Sequence, residues 1–147
     1  MRGMAGEYKK YLIRGIKNMA SYQKLIIVGN VGSEPDMRYL PSGKAVTTFS
    51  VATNRKWTNS DGSPGKETTW FRVSAWGRQA ETCNEYLSKG SSVLVEGNLK
   101  PNELGNPRVW TGSDGQAKAS YEITASRVTF LSSRSDTSPQ EESEIPF

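Results

Sequence analysis

Hydrophobic and polar residues alternate with a two-residue period along most of the central part of this chain, the period of strands rather than helices. Leu25-Ile26-Ile27-Val28 is a continuous apolar run bounded by Gly29 and Gly32. Residues 44–56, with Val46, Phe49, Val51 and Thr53, read as a long β segment. Residues 57–66 carry Asn59, Ser60, Asp61, Gly62, Ser63, Pro64 and Gly65, the turn chemistry of a hairpin loop. Further strands are predicted at 68–76, 91–99 and 119–131. In the last of these, apolar parity runs through Tyr121 and Ile123 and then shifts to Val128 and Phe130. A β-bulge between the two pairs explains the shift.

One segment follows a helical period instead. Between Arg78 and Lys89, the residues Ala80, Cys83 and Leu87 stand three and four apart and share one face. Gly90 is placed to stop that helix. The order is then three strands, a helix and two strands. It suits an all-β, five-stranded Greek-key barrel of OB type, with one helix between strands 3 and 4. An SH3-like barrel is the main alternative, but leaves a full helix at that point unexplained.

The flanks differ from this body. Residues 1–18, with the basic amphipathic run Glu7 to Lys17, do not share the strand pattern of the body, and Met19-Ala20-Ser21 resembles an ordinary start. A targeting peptide is disfavoured by Glu7 and the lack of a clear cleavage signal. The preferred reading is an upstream extension, with the barrel domain covering 19–131. Residues 132–147 are Ser-, Glu- and Pro-containing and nearly free of aliphatics, the composition of a disordered acidic tail.

Composition narrows the chemistry. With no histidine among its 147 residues, the chain lacks the commonest general base and the commonest zinc ligand. The single cysteine, Cys83, excludes an internal disulfide and reads as a small apolar filler. Glu34 and Asp36 sit at a Pro-containing turn and read as solvated, and Gly29-Asn30-Val31-Gly32 is too short for a phosphate-binding fingerprint. No serine has a histidine for a triad. The chain therefore reads as a non-enzyme without cofactor or metal. It has no apolar run long enough to span a bilayer, so the chain reads as soluble and intracellular. Four of the 15 acids lie after Arg134 with no base among them, so residues 1–135 hold 19 bases against 11 acids. A basic body with an acidic tail suggests a polyanionic partner for the body and a separate task for the tail.

The predicted third strand carries the sharpest signal. Trp70, Arg72, Ser74 and Trp76 fall on one face, and Phe71, Val73 and Ala75 on the other. The second set is core. The first is two indoles with a guanidinium between them, and such a face needs a cover. Nucleobases stacking on the rings while Arg72 pairs with phosphate supply one; a subunit interface is the competing explanation. Trp57 beside Arg55 and Lys56, and Trp110 beside Arg108 in the polar stretch 100–118, favour the first. Rings interleaved with cations suit a single strand better than a duplex, and nothing here resembles a recognition helix or a zinc finger. An RNA-binding barrel and a protein-interaction module are the other classes weighed.

Together these segments resemble the bacterial single-stranded DNA-binding protein family. The likeness spans about 22–131. It rests on Lys24 to Gly32, Glu34 to Tyr39, Gly43, Ala45-Val46, Ala52-Thr53, Thr69 to Val73, Trp76 to Glu81, Glu85-Tyr86-Leu87, Lys89-Gly90-Ser91 and Val95-Glu96-Gly97. The final Ile145-Pro146-Phe147 is similar to the family's partner-binding tip. The resemblance implies an OB fold, a homotetramer, and single-stranded DNA wrapped over aromatic platforms at Trp57, Trp70, Trp76 and Trp110. Trp76 stands where a stacking phenylalanine is usual, and Phe71 where histidine is frequent. Arg38, Lys56, Arg72, Arg78, Lys89 and Arg108 lie at or near basic contact positions. The implied role is coating DNA in replication, recombination and repair, and the implied location is the bacterial cytoplasm, at the nucleoid.

On residues alone, the ending Glu144-Ile145-Pro146-Phe147 admits two readings, a frayed terminus or a hook. In the hook, an apolar ring, a restricted backbone and a free carboxylate are offered to other proteins. The resemblance implies the hook, which would recruit partner enzymes. Residues 132–140 would tether it, reaching at most about 30 Å extended and roughly 17 Å as a coil.

Overall fold

A computed structural model describes residues 21–132. Within them, seven strands and one helix succeed one another: β1 (Leu25–Val31), β2 (Asp36–Tyr39), β3 (Ala45–Thr58), β4 (Pro64–Trp76), α1 (Arg78–Tyr86), β5 (Ser92–Leu99), β6 (Arg108–Thr111) and β7 (Ala117–Phe130). The sheet runs β1-β5-β7-β4-β3-β2, and β1 also pairs with β3 through Asn30↔Ala52 and Val31↔Val51. That second pairing closes β1, β5, β7, β4 and β3 into the expected five-stranded barrel. All pairings are antiparallel except β4 with β7, which is parallel over Phe71 to Ser74.

The alternation read from sequence fills the barrel. Ala45, Phe49 and Val51 of β3 and Val73 and Ala75 of β4 point inward, and they meet Ile27, Val31, Val93, Val95 and Ile123. Side chains of alternate parity on β3 and β4 point outward. Helix α1 plugs the barrel with Ala80 and Cys83, and the Thr47 hydroxyl donates to the Ala80 carbonyl at 2.6 Å, satisfying a fully buried polar group. Burial pushes the Cys83 thiol up to about 11, as expected of an apolar filler and not of a nucleophile.

The bulge in the last strand is present. Gly97 pairs with Ala125 but Glu96 pairs with Arg127, which leaves Ser126 as the extra residue. Its hydroxyl donates to the Glu96 carbonyl at 3.0 Å. The inserted residue turns the apolar set from Ile123 to Val128 and Phe130, both of which pack against the core.

Three local expectations are corrected. The helix ends at Tyr86, not Lys89: Leu87 adopts extended backbone (φ −87°, ψ 145°) yet remains buried. Gly90 is therefore not its stop but the positive-φ residue (94°) of the following turn, where its N–H donates to the Val31 carbonyl. The hairpin loop is shorter than 57–66, because pairing continues to Thr58↔Pro64 and leaves only residues 59–63 at the tip. Glu34 and Asp36 are exposed, as expected of solvated carboxylates, and each also has a partner. Glu34 accepts from the Lys89 backbone N–H at 3.2 Å, and Asp36 opens strand β2 and pairs with Arg38.

Candidate nucleic-acid interface

The β3–β4 ribbon is longer than the barrel is deep, so its distal half projects into solvent. Outward positions pair across it as Val46↔Trp76, Thr48↔Ser74, Ser50↔Arg72, Ala52↔Trp70 and Lys56↔Lys66. Strand β2 extends this face, with Arg38 opposite Val46. On the other flank, β7 places Glu122 beside Arg72, and the β6–β7 hairpin pairs Arg108 with Ser120 and Trp110 with Lys118. Strand parity thus brings Trp70, Trp76, Trp110, Arg38, Lys56, Arg72 and Arg108 onto one outward sheet surface.

Trp70 is 53% exposed. Its ring reaches across β3 to lie against Gly32, where a Cβ would overlap the indole, with the Ser50 hydroxyl close by. The Ser50 hydroxyl in turn donates to that of Ser33 at 2.9 Å, and the Gly32 N–H donates to the Ser50 carbonyl at 2.9 Å. The Cζ3 and Cη2 end of the indole therefore lies against the Gly32 backbone. Substituting Gly32→Ala is expected to displace the Trp70 ring and shift its fluorescence maximum while leaving the barrel folded. An unchanged emission spectrum would show that the contact is loose.

Trp76 is half-buried, and the Lys44 ammonium stands 5.4 Å from its ring centroid, within cation–π reach. Lys44 was not singled out from sequence, because it lies in a turn 32 residues away and meets the ring only through the β3–β4 register.

Trp57 departs from expectation. It belongs to β3 rather than to a loop, and its odd position puts it on the opposite side of the ribbon from Trp70. Its indole covers Gly65, where a Cβ would overlap the ring, and its Nε1 donates to Asn59 Oδ1 at 2.8 Å. Arg55, the cation that the sequence places beside this ring, stacks 4.9 Å from the ring centroid while its guanidinium pairs with Glu67 at 2.9 Å. Trp110 likewise lies in a strand, β6, where a loop was expected. Trp57 and Trp110 are each 40% exposed.

Both hairpin tips are braced by a carboxylate. The Ser63 hydroxyl and backbone hold Asp61 below the usual carboxylate range, and the Gln116 N–H and Lys118 do so for Asp114. Between the hairpins, where β4 and β7 part, lies a groove of about 370 Å³ lined by Glu67, Thr68, Thr69, Trp70, Ala119, Ser120 and Tyr121. The Ser120 hydroxyl beside it is buried without a hydrogen-bond partner. Arg78 opens α1 and Lys89 occupies the turn before β5, outside the strands that carry the tryptophans. Glu144, Ile145, Pro146 and Phe147 lie outside the described residues. Among the described residues, no group of acidic or cysteine side chains could hold a metal, and no helix is long and apolar enough to cross a membrane.

The architecture is that of an OB-fold barrel whose strand face and projecting hairpins carry exposed indoles and cations. Residues 22–131 match the family described as "Single-strand binding protein family", and the chain belongs to that family. A single-stranded DNA-binding protein of Wolinella succinogenes is 40% identical over 113 residues, which cover 77% of this chain and 66% of the relative. One from Neisseria meningitidis serogroup A is 34% identical over 118 residues, covering 80% and 64%. The chain thus spans just under two thirds of the length of these curated relatives. Among solved structures, the Plasmodium falciparum SSB complex with ssDNA is similar at 32% identity and a TM-score of 0.62, covering 76% of this chain and 97% of that one.

Proposed function

We propose that this chain binds single-stranded DNA with little regard to sequence and without catalysis. The observation that carries this reading is the shared outward face of Trp70, Arg72 and Trp76, continued by Arg108 and Trp110. Stacking on such rings contributes about 1–3 kcal/mol per base for any base, and the cations add affinity by releasing counterions. In this reading Trp57, Trp70, Trp76 and Trp110 stack bases, and Arg38, Lys56, Arg72, Arg78, Lys89 and Arg108 face phosphates. Competition against a labelled oligo-dT tests it. Unlabelled single strands of any sequence should displace the label at least tenfold better than duplex of equal length. Equal displacement by duplex contradicts the reading, and stronger displacement by matched RNA assigns the barrel to RNA.

We further propose a homotetramer acting in replication, recombination and repair in the bacterial cytoplasm. Ile26 and Val28 on the outer face of β1 are 56% and 45% exposed, and β1 pairs with β3 only at its far end. An apolar strand with an open edge suits a partner copy. A solution mass below four chains at binding concentrations contradicts the tetramer.

The terminal Glu144-Ile145-Pro146-Phe147 is the proposed recruiting hook for partner enzymes. Its acidic stretch, tethered close to a basic barrel, should compete weakly with DNA. Deleting residues 141–147 is expected to tighten oligo-dT binding by a few-fold at low salt and to abolish capture of partner enzymes. Unchanged capture would reject the hook.

A further inference from the structure

Glu122 is an anomaly on a surface suited to a polyanion. It stands on β7 in the middle of the cationic face, and its side chain is only 9% exposed. Two guanidiniums from separate strands converge on the same oxygen, Oε1: Arg72 Nε of β4 at 3.9 Å and Arg108 Nη1 of β6 at 3.5 Å. Register explains the meeting. Arg72 is beside Glu122 in the parallel β4–β7 pairing, and Arg108 sits opposite Ser120, one diagonal step away.

We propose that Glu122 is a positioning residue for single-stranded DNA binding: it gathers Arg72 and Arg108 into one cationic pair on the outward face that carries Trp70 and Trp110. The proposal rests on the DNA-binding reading above. A carboxylate buried this deeply is costly unless it is paired, so its pairing demand draws both arginines to one place. It also screens two cations that would otherwise repel. The contacts are single and long, not a bidentate clamp. Each guanidinium offers five N–H donors, and the two arginine side chains remain 58% and 59% exposed. Most donors therefore stay available to phosphate oxygens, and a phosphate need not break a clamp to reach them. Trp70 is two residues from Arg72 and Trp110 two from Arg108, so each cation lies beside a ring on its own strand.

The alternative role, mere subtraction of positive charge, predicts the opposite sign. Removing one negative charge should then tighten binding and steepen its salt dependence by up to about 0.7 in log–log slope. The test is oligo-dT titration of the full chain and its Glu122→Gln variant at 50 and 200 mM salt. Positioning predicts that the variant binds at least threefold more weakly at 200 mM despite its added net charge, and that Glu122→Asp recovers part of the loss. Equal or tighter binding by Glu122→Gln overturns the proposal. Failure of the unmodified chain to bind overturns the DNA-binding reading instead. Should Glu122→Gln not fold, melting temperatures without DNA carry the test through Arg72→Ala, Arg108→Ala and the double variant. One remaining guanidinium still pairs the buried carboxylate, so the double variant should lose clearly more than the sum of the singles; additive losses overturn the proposal.

Discussion

Replacing Trp70 with Ala is expected to weaken oligo-dT binding about 5- to 150-fold, the equivalent of roughly 1–3 kcal/mol of lost stacking. Trp70 is the most exposed of the four tryptophans and lies on the outward face. The Cζ3 and Cη2 end of its indole is held against Gly32, and just over half of its surface is open. A ring already immobilised loses little freedom when a base stacks on it. Because the indole lies outside the core, Trp70→Ala should leave the melting temperature within a few degrees of the parent. Trp70→Phe keeps a smaller π-face and should retain most of the affinity. An Ala variant that binds as the parent does, measured by titration at fixed salt, would remove Trp70 from the interface.

The second large effect concerns stability. Phe49 is buried at the centre of the barrel, packed among Val51, Val73 and Val95. Phe49→Ala is expected to cost about 3–5 kcal/mol, from lost transfer energy and from the cavity left behind. Against a total of roughly 5–15 kcal/mol, that lowers the melting temperature by roughly 10–25 °C. Circular dichroism on heating checks it, and a loss under about 1 kcal/mol would mean that the site collapses around the gap. The folded fraction should bind oligo-dT as the parent does, since Phe49 faces away from the outward surface. The two substitutions therefore separate along the two faces of the same strand pair: one loses binding, the other stability.

That division was legible in the sequence wherever strand period and burial coincide. Trp70, Arg72 and Trp76 could be set against Phe71, Val73 and Ala75 because this half of β4 lies on the barrel, where one face is core and the other solvent. The bulge at Ser126 was visible for the same reason, as a break in apolar parity. Signal fades where strands leave the core. Trp57 sits on the projecting end of β3, exposed on both sides, so apolar parity says nothing about its face. Strand β6 has four exposed residues and exists through pairing with β7 alone, which no local pattern announces. Strand β2 is equally short, follows Pro35, and is held by its register with β3.

The same reasoning explains which functional neighbours escaped notice. Lys44 reaches Trp76, Glu122 reaches Arg72, and Lys118 faces Trp110, all across strands. Sequence proximity finds cations beside a ring on the same strand, as it did for Arg108 and Trp110. It cannot find those that pairing supplies from elsewhere. A carboxylate such as Glu122 is the harder case, because in a basic interface an acid reads as surface noise until its burial is known.

The central claim is that the exposed tryptophans of this barrel receive the bases of a single strand. Intrinsic tryptophan fluorescence during titration of the full chain with oligo-dT tests it most directly, because the reporters are the proposed contacts themselves. Strong, saturable quenching at low salt, with affinity falling linearly in log–log terms as salt rises, is the predicted result. Emission that stays unchanged at low salt, with oligo-dT in excess over protein, would contradict it.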